Sequence, residues 1–447
     1  MRAALLALLV SAAAALPVAA HTRLERSTPA DGDTLRAQPR ELSLEFSQAV
    51  APQYTRLLLR GPDGAAIPTP PLEVDAGRRT FRTAAPQLRA GRYAVEWRTA
   101  AADGHVITGT FEFVFAPDAA DAEVAAAASD PGAADALRAH HVETGLLPAY
   151  LRPGGAPGVV ARALLFAALL GVIGLAVFQT LVLPRSGLAV EARQALQGAL
   201  RRFGLVAAAL LLLVLPLRLW LQSGALHGPG RAFETDLLGA MLLQLDWGHA
   251  WLVQLAAAVL ALGGVVTGLT PLVAVAAAAL AFTPALQGHA AAVERASPLA
   301  VVLDGTHVLA AGAWVGALAV LVIAAIPTLR RGAAAACPGQ VRQLVHRFTP
   351  LALTAAALLA ASGVGSALLH VPAPADLVAT DYGRTLLVKL FLVALVLGTG
   401  WYNWRRAGPD LGSATGTAAL HRAATLELCF AGAALAATAV LVALPTP

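Results

Sequence analysis

Charge is what this sequence has least of. Only 13% of its 447 residues are Asp, Glu, Lys or Arg, while 57% are hydrophobic. Soluble domains carry roughly 25% charged residues, so a wholly soluble chain is excluded. Lysine is nearly absent: of 32 basic residues all but Lys389 are arginine. The arginines are scattered, with no basic stripe interleaved with aromatics. A net charge of +5 therefore does not signal nucleic acid. Cysteine is equally scarce. Cys337 and Cys429 lie at a spacing that suits neither a disulfide framework nor a zinc site.

What is abundant is unevenly spread. Long Ala, Leu and Val runs begin near Gly158 and recur to the end, whereas residues 21–117 have the composition of a soluble domain. The first twenty residues carry Arg2, an apolar stretch from Ala3 to Leu16, Pro17, and then Val18-Ala19-Ala20 with small residues at −3 and −1. That grammar predicts a secretory signal cleaved after Ala20, with His21 as the new first residue. An N-terminal His offers an α-amine and an imidazole that close one chelate ring on a metal. The amine, with an ordinary pKa of about 8, loses its proton to a cupric ion near neutrality.

Residues 21–117 read as a small all-β sandwich or Greek-key barrel. Glu41–Gln48, Tyr54–Arg60, Arg78–Thr83, Gly91–Thr99 and Val106–Phe115 are short and several alternate, as in Phe111, Phe113 and Phe115 against Glu112 and Val114. Gly61-Pro62-Asp63-Gly64, Pro68 to Pro71 and Asp103-Gly104 separate them. Asp103 and His105 flank a glycine that can take a turn conformation, so their side chains can converge on one ion. Alone, such a turn is ordinary. With the amine and ring of His21 it makes a three-nitrogen, one-oxygen set suited to tetragonal Cu(II) rather than soft Cu(I).

The residues around this set resemble the CopC family: His21, Ser27-Thr28-Pro29-Ala30-Asp31-Gly32, Tyr93-Ala94-Val95-Glu96-Trp97, and Ala102 through Gly109. The resemblance implies a β-barrel whose Cu(II) ligands are His21, Asp103 and His105. Some members add a Met-rich Cu(I) loop. With Met1 and Met241 as its only methionines, this chain is expected to lack one.

Residues 118–157, rich in Ala, Asp, Gly and Pro, read as a mobile acidic linker, within which His140-His141 are taken as idle. Residues 158–447 are expected to form an all-α bundle of eight transmembrane helices, near 158–183, 203–223, 249–269, 271–288, 299–326, 348–370, 385–402 and 422–444. With the β domain exported, the loops assigned to the cytoplasm hold Arg185, Arg193, Arg201, Arg202, Arg330, Arg331, Arg342, Arg347, Arg405, Arg406 and Arg422. The outer loops hold Arg231, Arg295 and Arg384. This imbalance predicts that both the N-terminal domain and the C-terminus lie outside, and with the CopC resemblance the expected location is the bacterial inner membrane. Trp220, Trp247 and Trp251 would then form an outer aromatic belt, and Trp401, Tyr402 and Trp404 an inner one.

In that orientation His227, His249, His289, His307 and His370 fall at or near the outer helix ends, making an imidazole-rich mouth. Asp304, His307, Ala311 and Trp314 recur at helical spacing and share a face. Intramembrane Asp304, Lys389 and Glu427 are functional candidates by default, although Lys389 can also snorkel to the headgroups. Glu427 with Cys429 suggests an inner exit site, against the plainer reading of Cys429 as packing.

Gly288-His289, Asp304 with His307 to Gly316, His346-Arg347-Phe348, Asp381 to Arg384 leading to Lys389, Asn403 with Arg405, and Arg422 with Glu427 resemble the CopD family. CopC preceding CopD on one chain resembles the fused copper-uptake and resistance proteins. The expected function is copper acquisition, not catalysis. Cu(II) is captured outside and passed to the membrane domain, where copper of unspecified oxidation state moves towards the cytoplasm. Its expected partners are the copper ion and the lipid bilayer, with a periplasmic or cytoplasmic copper chaperone as a further candidate and no nucleic acid. Tethering raises the effective concentration of donor at acceptor. The alternatives are a membrane redox protein with haem between histidines such as His249 and His307, and a copper sensor or buffer without transport.

Overall fold

The alternation that predicts strands also sets their faces. In the computed structural model, which describes residues 22–101, 104, 106–117, 155–287, 297–331, 337–371, 373–407 and 413–444, nine strands form two sheets. β1 (Leu24–Thr28), β3 (Glu41–Phe46), β7 (Thr80–Ala84) and β6 (Glu73–Val74) make one sheet, in the order β1-β3-β7-β6. The other runs β2-β9-β8-β4-β5, from β2 (Thr34–Leu35), β9 (Val106–Phe115), β8 (Gly91–Ala100), β4 (Arg56–Arg60) and β5 (Ala66–Ile67). Its spine is the hairpin β8–β9, in antiparallel register from Gly91↔Phe115 to Ala100↔Val106.

On β3, Leu42, Leu44 and Phe46 are buried while Glu41, Ser43 and Glu45 lie on the other face. They meet Phe111 and Phe113 of β9 and Trp97 of β8 in one core, and the Phe46 and Trp97 rings cross edge to face at 5.3 Å. Each such side chain contributes about 1.5–3 kcal/mol by leaving water. Gly109 is part of the fit, since a Cβ there would meet the Trp97 ring at 2.4 Å. The strands β1, β2, β5 and β6 go beyond the five the sequence suggests. Three of them are two residues long, too short for period-two alternation to register.

The helical part begins with α1 (Ala156–Val182). There follow α2 (Val190–His227), α3 (Thr235–Gln244), α4 (Asp246–Thr267), α5 (Thr270–Leu286), α6 (Pro298–Arg331), α7 (Cys337–His370), α8 (Asp381–Ala407) and α9 (Ala414–Leu441). Seven of these are long and apolar enough to cross a membrane. Of the eight expected spans, the fourth is the exception: α5 has 17 residues and falls short of that length. Helix α3 has no counterpart among the expected spans.

Helix α6 is interrupted by π-helical turns at Gly312–Gly316 and Val320–Ala325. At the first, the backbone of α6 comes so close to α1 that a Cβ on Gly174 would meet Gly316 C at 2.0 Å. Small residues allow this kind of helix contact in a bilayer. At the second, His421 Nε2 donates to Val322 O at 3.0 Å, taking up a backbone acceptor in the π-helical turn.

Two compact units result. One contains the β sandwich together with Leu219–Gly248, and the other contains Val159–Arg218 and the chain from His249 onwards. The end of α2 and all of α3 thus belong with the β domain.

Candidate metal centre and intramembrane polar clusters

His21, Asp103 and His105, the expected copper ligands, lie outside the described residues, as do His140, His141 and His289. Their described neighbours nevertheless share one anchor. Thr22 Oγ1 donates to Gln48 Oε1 at 3.3 Å, and Arg23 and Ser47 exchange hydrogen bonds of 3.0 and 2.9 Å. Across the same segment Val50 bridges Ala101, and Ala51 N donates to Ala100 O at 2.8 Å. Gly104 N then closes a turn onto Ala101 O at 2.9 Å. Each trans peptide step spans about 3.8 Å between Cα atoms. Thr22, Ala101 and Gly104, which adjoin the three expected ligands or stand within two residues of them, are all tied to Ser47–Ala51 directly or through Ala101.

Gly104 has φ +83°, the left-handed region that glycine tolerates best. Its carbonyl accepts from Gln222 Nε2 at 2.7 Å, and a Cβ would meet Trp247 Cβ at 2.8 Å. Trp247, expected in an aromatic belt, is instead buried against this turn. Arg98 Nη1 reaches Ala225 O at 3.3 Å, and burial, with a smaller contribution from Arg56, lowers its guanidinium to about 10. The Tyr54 ring lies 5.3 Å from that of His227, the last residue of α2, and burial raises the Tyr54 phenol.

Within the helical unit, Asp304 and His307 on α6 face two serines of α7. Ser366 Oγ donates to Asp304 Oδ1 at 2.9 Å, and His307 Nδ1 lies 3.1 Å from Ser362 Oγ. Ser362 commits its hydroxyl proton to Leu358 O at 2.7 Å, so its oxygen accepts from His307 and the imidazole proton sits on Nδ1. Lys389 and Tyr382, seven apart on α8, lie within electrostatic reach of Asp304, and Lys389 also of His307. Gly363 makes room for the imidazole, since a Cβ there would stand 3.2 Å from His307 Cε1.

Ten residues along α6, about 15 Å of helix rise, Trp314 sits in the first π-helical turn with Glu427 of α9 beside it. Asn403 Nδ2 donates to Glu427 Oε2 at 3.3 Å, and the Trp314 side chain is a second partner of that carboxylate. Gly400 leaves the space, since a Cβ there would lie 3.3 Å from Glu427 Oε1. Cys429 does not join this site. Glu427 is 5% exposed whereas Cys429 is a free, exposed thiol, as expected for residues two apart on a helix. The suggested pairing of Glu427 with Cys429 is therefore not formed, and the partners of Glu427 are Asn403 and Trp314. His249 is exposed in the first turn of α4, and His370 closes α7.

A third cluster has no counterpart in the sequence reading. Arg218 Nη1 donates to Gln287 Oε1 at 2.8 Å and to Gln254 Oε1 at 3.5 Å, while Gln254 Nε2 donates to Thr283 Oγ1 at 2.8 Å. Trp251, likewise expected in a belt, is buried on α4 with its indole N–H on Leu215 O. Trp401 and Tyr402 are exposed, as a lipid-facing pair would be.

Among the described residues no group of three or more His, Cys, Asp and Glu is placed to hold a metal ion. The chain's identity comes from its three segments together. Residues 24–116 match the CopC domain, residues 155–297 the copper resistance protein D-like N-terminal domain, and residues 342–441 copper resistance protein D. The chain belongs to the copper transport and resistance family in which CopC and CopD domains are fused. Among similar proteins, the copper transport protein CutJ of Bacillus subtilis (strain 168) is 27% identical over 448 residues, covering 96% of this chain and 75% of that one. Copper resistance protein C of Pseudomonas syringae pv. tomato is 34% identical over 101 residues, 21% of this chain and 79% of that one. The crystal structure of CopC from Methylosinus trichosporium OB3b matches 21% of this chain and 93% of that one, at 28% identity and a TM-score of 0.21.

Proposed function

We propose that the protein acquires copper. Its β domain lies outside the cytoplasmic membrane, captures Cu(II) with the amine and ring of His21, Asp103 and His105, and passes the ion to a membrane domain that moves it inwards. The observation that carries this reading is the shared anchor. Thr22 on Gln48, and Ala100 and Ala101 on Ala51 and Val50, bring the chain on either side of the proposed ligands to one short segment.

The membrane half supports the second step with polar groups at two levels along α6. Asp304 and His307 stand at one level, with Lys389 within electrostatic reach, and Trp314 with Glu427 at the other. Polar groups inside a bilayer are costly and are kept where they serve a path. Oxygen and imidazole donors suit Cu(II) or a partly hydrated ion better than Cu(I). The sequence holds no nucleotide-binding loop, so ATP hydrolysis is not the proposed driving force.

Reconstitution into liposomes with radiolabelled copper tests the proposal, with cupric and cuprous supply compared. Protein-dependent accumulation from the cupric supply is the expected result. Uptake equal to that of empty liposomes under both supplies overturns it.

A further inference from the structure

His227 already has one ring nitrogen engaged. Ser223, one turn earlier on α2, commits its hydroxyl proton to Ala232 O at 2.9 Å, so its oxygen accepts from His227 Nδ1, 3.1 Å away. The proton is thereby fixed on Nδ1, and Nε2 presents a bare lone pair, the form in which imidazole binds metals. That nitrogen is buried and has no hydrogen-bond partner among the described residues. The neighbouring Tyr54 hydroxyl is in the same condition; Gln53 approaches it without a well-formed hydrogen bond.

A buried acceptor left without a donor costs about 1–3 kcal/mol. The two rings that carry these atoms lie with their centroids 5.3 Å apart. An anion is disfavoured because the bare lone pair would repel it. A cation with exchangeable ligands fits. One imidazole does not hold a cupric ion alone, but it can take one from a neighbouring site by adding to its coordination sphere before another ligand leaves. The same helix anchors the described residue of the capture turn: Gln222, adjacent to Ser223 on α2, donates to the carbonyl of Gly104.

We infer that His227 Nε2 is the first ligand to receive Cu(II) from the capture turn, with the Tyr54 ring packed beside the imidazole. This rests on the capture reading above. In the exchange a copper–nitrogen bond forms at His227 and one bond to the capture set breaks. No electron moves, and His227 releases no proton because Nε2 carries none. Arg98, in electrostatic reach of His227, keeps the position a weak one, as a relay requires.

The test uses the full chain in lipid nanodiscs, loaded with one and then two equivalents of Cu(II) and followed by pulsed EPR. Copper accumulation is measured in cells carrying wild type, His227→Ala, His227→Gln or His105→Ala. Wild type should show, at the second equivalent, a component with a single imidazole that both His227 variants lack. Those variants should accumulate copper about tenfold less, in line with disturbed metal ligation elsewhere, while still binding the first equivalent. Absence of the one-imidazole component in wild type, which needs no variant to fold, overturns the inference: the position then holds water only. Wild-type accumulation in both His227 variants overturns it equally. If His105→Ala abolishes binding of the first equivalent while the His227 variants behave as wild type, the relay falls and capture stands. If His105→Ala changes neither binding nor accumulation, capture itself falls and takes the relay with it.

Discussion

The Ser366 hydroxyl donates to Asp304 at 2.9 Å, one turn of α7 beyond Ser362, whose oxygen receives the His307 ring. Two serines four apart thus hold a carboxylate and an imidazole three apart, matching one helix face to another. Removing a hydrogen bond to a charged group costs about 1.5–3 kcal/mol, worth about tenfold or more in a rate. Ser366→Ala should therefore slow copper accumulation by that factor, and Asp304→Asn or His307→Ala by more, with Cu(II) binding by the β domain unchanged. Isotope uptake in cells and Cu(II) titration of the same variants check both halves.

The proposed capture depends on an amine and a ring on one residue, His21. Adding a single alanine before His21 should weaken Cu(II) affinity by tenfold or more, about 1.4 kcal/mol, because the six-membered chelate ring closed by the α-amine and Nδ1 is lost. Competition titration against a chelator of known affinity measures this, and mass spectrometry of the mature protein establishes its first residue.

Gly104→Ala places a methyl group 2.8 Å from Trp247 Cβ at a φ of +83°. The turn must shift or strain by about 1–3 kcal/mol. Thermal unfolding should move down, and protection of the Gly104 turn against hydrogen exchange should fall more than that of the β8–β9 hairpin.

The pair Arg60–Glu96 is 2.6 Å long, with side chains 9% and 7% exposed. Glu96→Ala leaves the guanidinium buried without its carboxylate, a change that costs about 3–5 kcal/mol. A lower melting temperature is expected, and the double variant Arg60→Leu/Glu96→Leu should recover much of the loss.

Asp75 accepts from the backbone N–H of Thr80 and, to a lesser degree, from that of Arg79, which holds its carboxyl below the usual carboxylate range. Its folded pKa is thus below its unfolded one. The stability it adds is complete above about 3.9, the unfolded value, and is lost as pH falls through the lower folded value. Asp75→Asn should flatten this part of the acid-unfolding curve, followed by tryptophan fluorescence between neutral and acid pH.

The sequence made some of this legible and hid the rest for physical reasons. Leu42, Leu44 and Phe46 alternate with polar residues because one face of β3 is buried, so the strand could be read directly. Asp304 and His307 could be placed on one face because their spacing is a property of the helix alone. Their partners could not: Ser362 and Ser366 are unremarkable in an alanine-rich run until α7 is laid against α6. Arg218 looks like a stray charge near a span end, and only the fold shows Gln254 and Gln287 around it. Trp247 and Trp251 satisfy the compositional rule for interfacial aromatics, yet packing buries both. Hydropathy sees composition along the chain, whereas each of these outcomes depends on what another element presents.

The π-helical turns of α6 set the orientation of everything beyond them. Each widened turn holds one residue more than an α turn, so it offsets the following residues by roughly 100° against an unbroken helix. Asp304 and His307 are therefore aimed before the first offset, Trp314 within it, and Leu329 to Arg331 after both. Deleting a single residue between Gly312 and Gly316 would leave the front segment facing α7 as now, while swinging the rear segment about a quarter of a revolution on its axis. The helix behaves as two independently clocked rods joined end to end, so its leading and trailing portions can be retuned separately by changes of one residue in length.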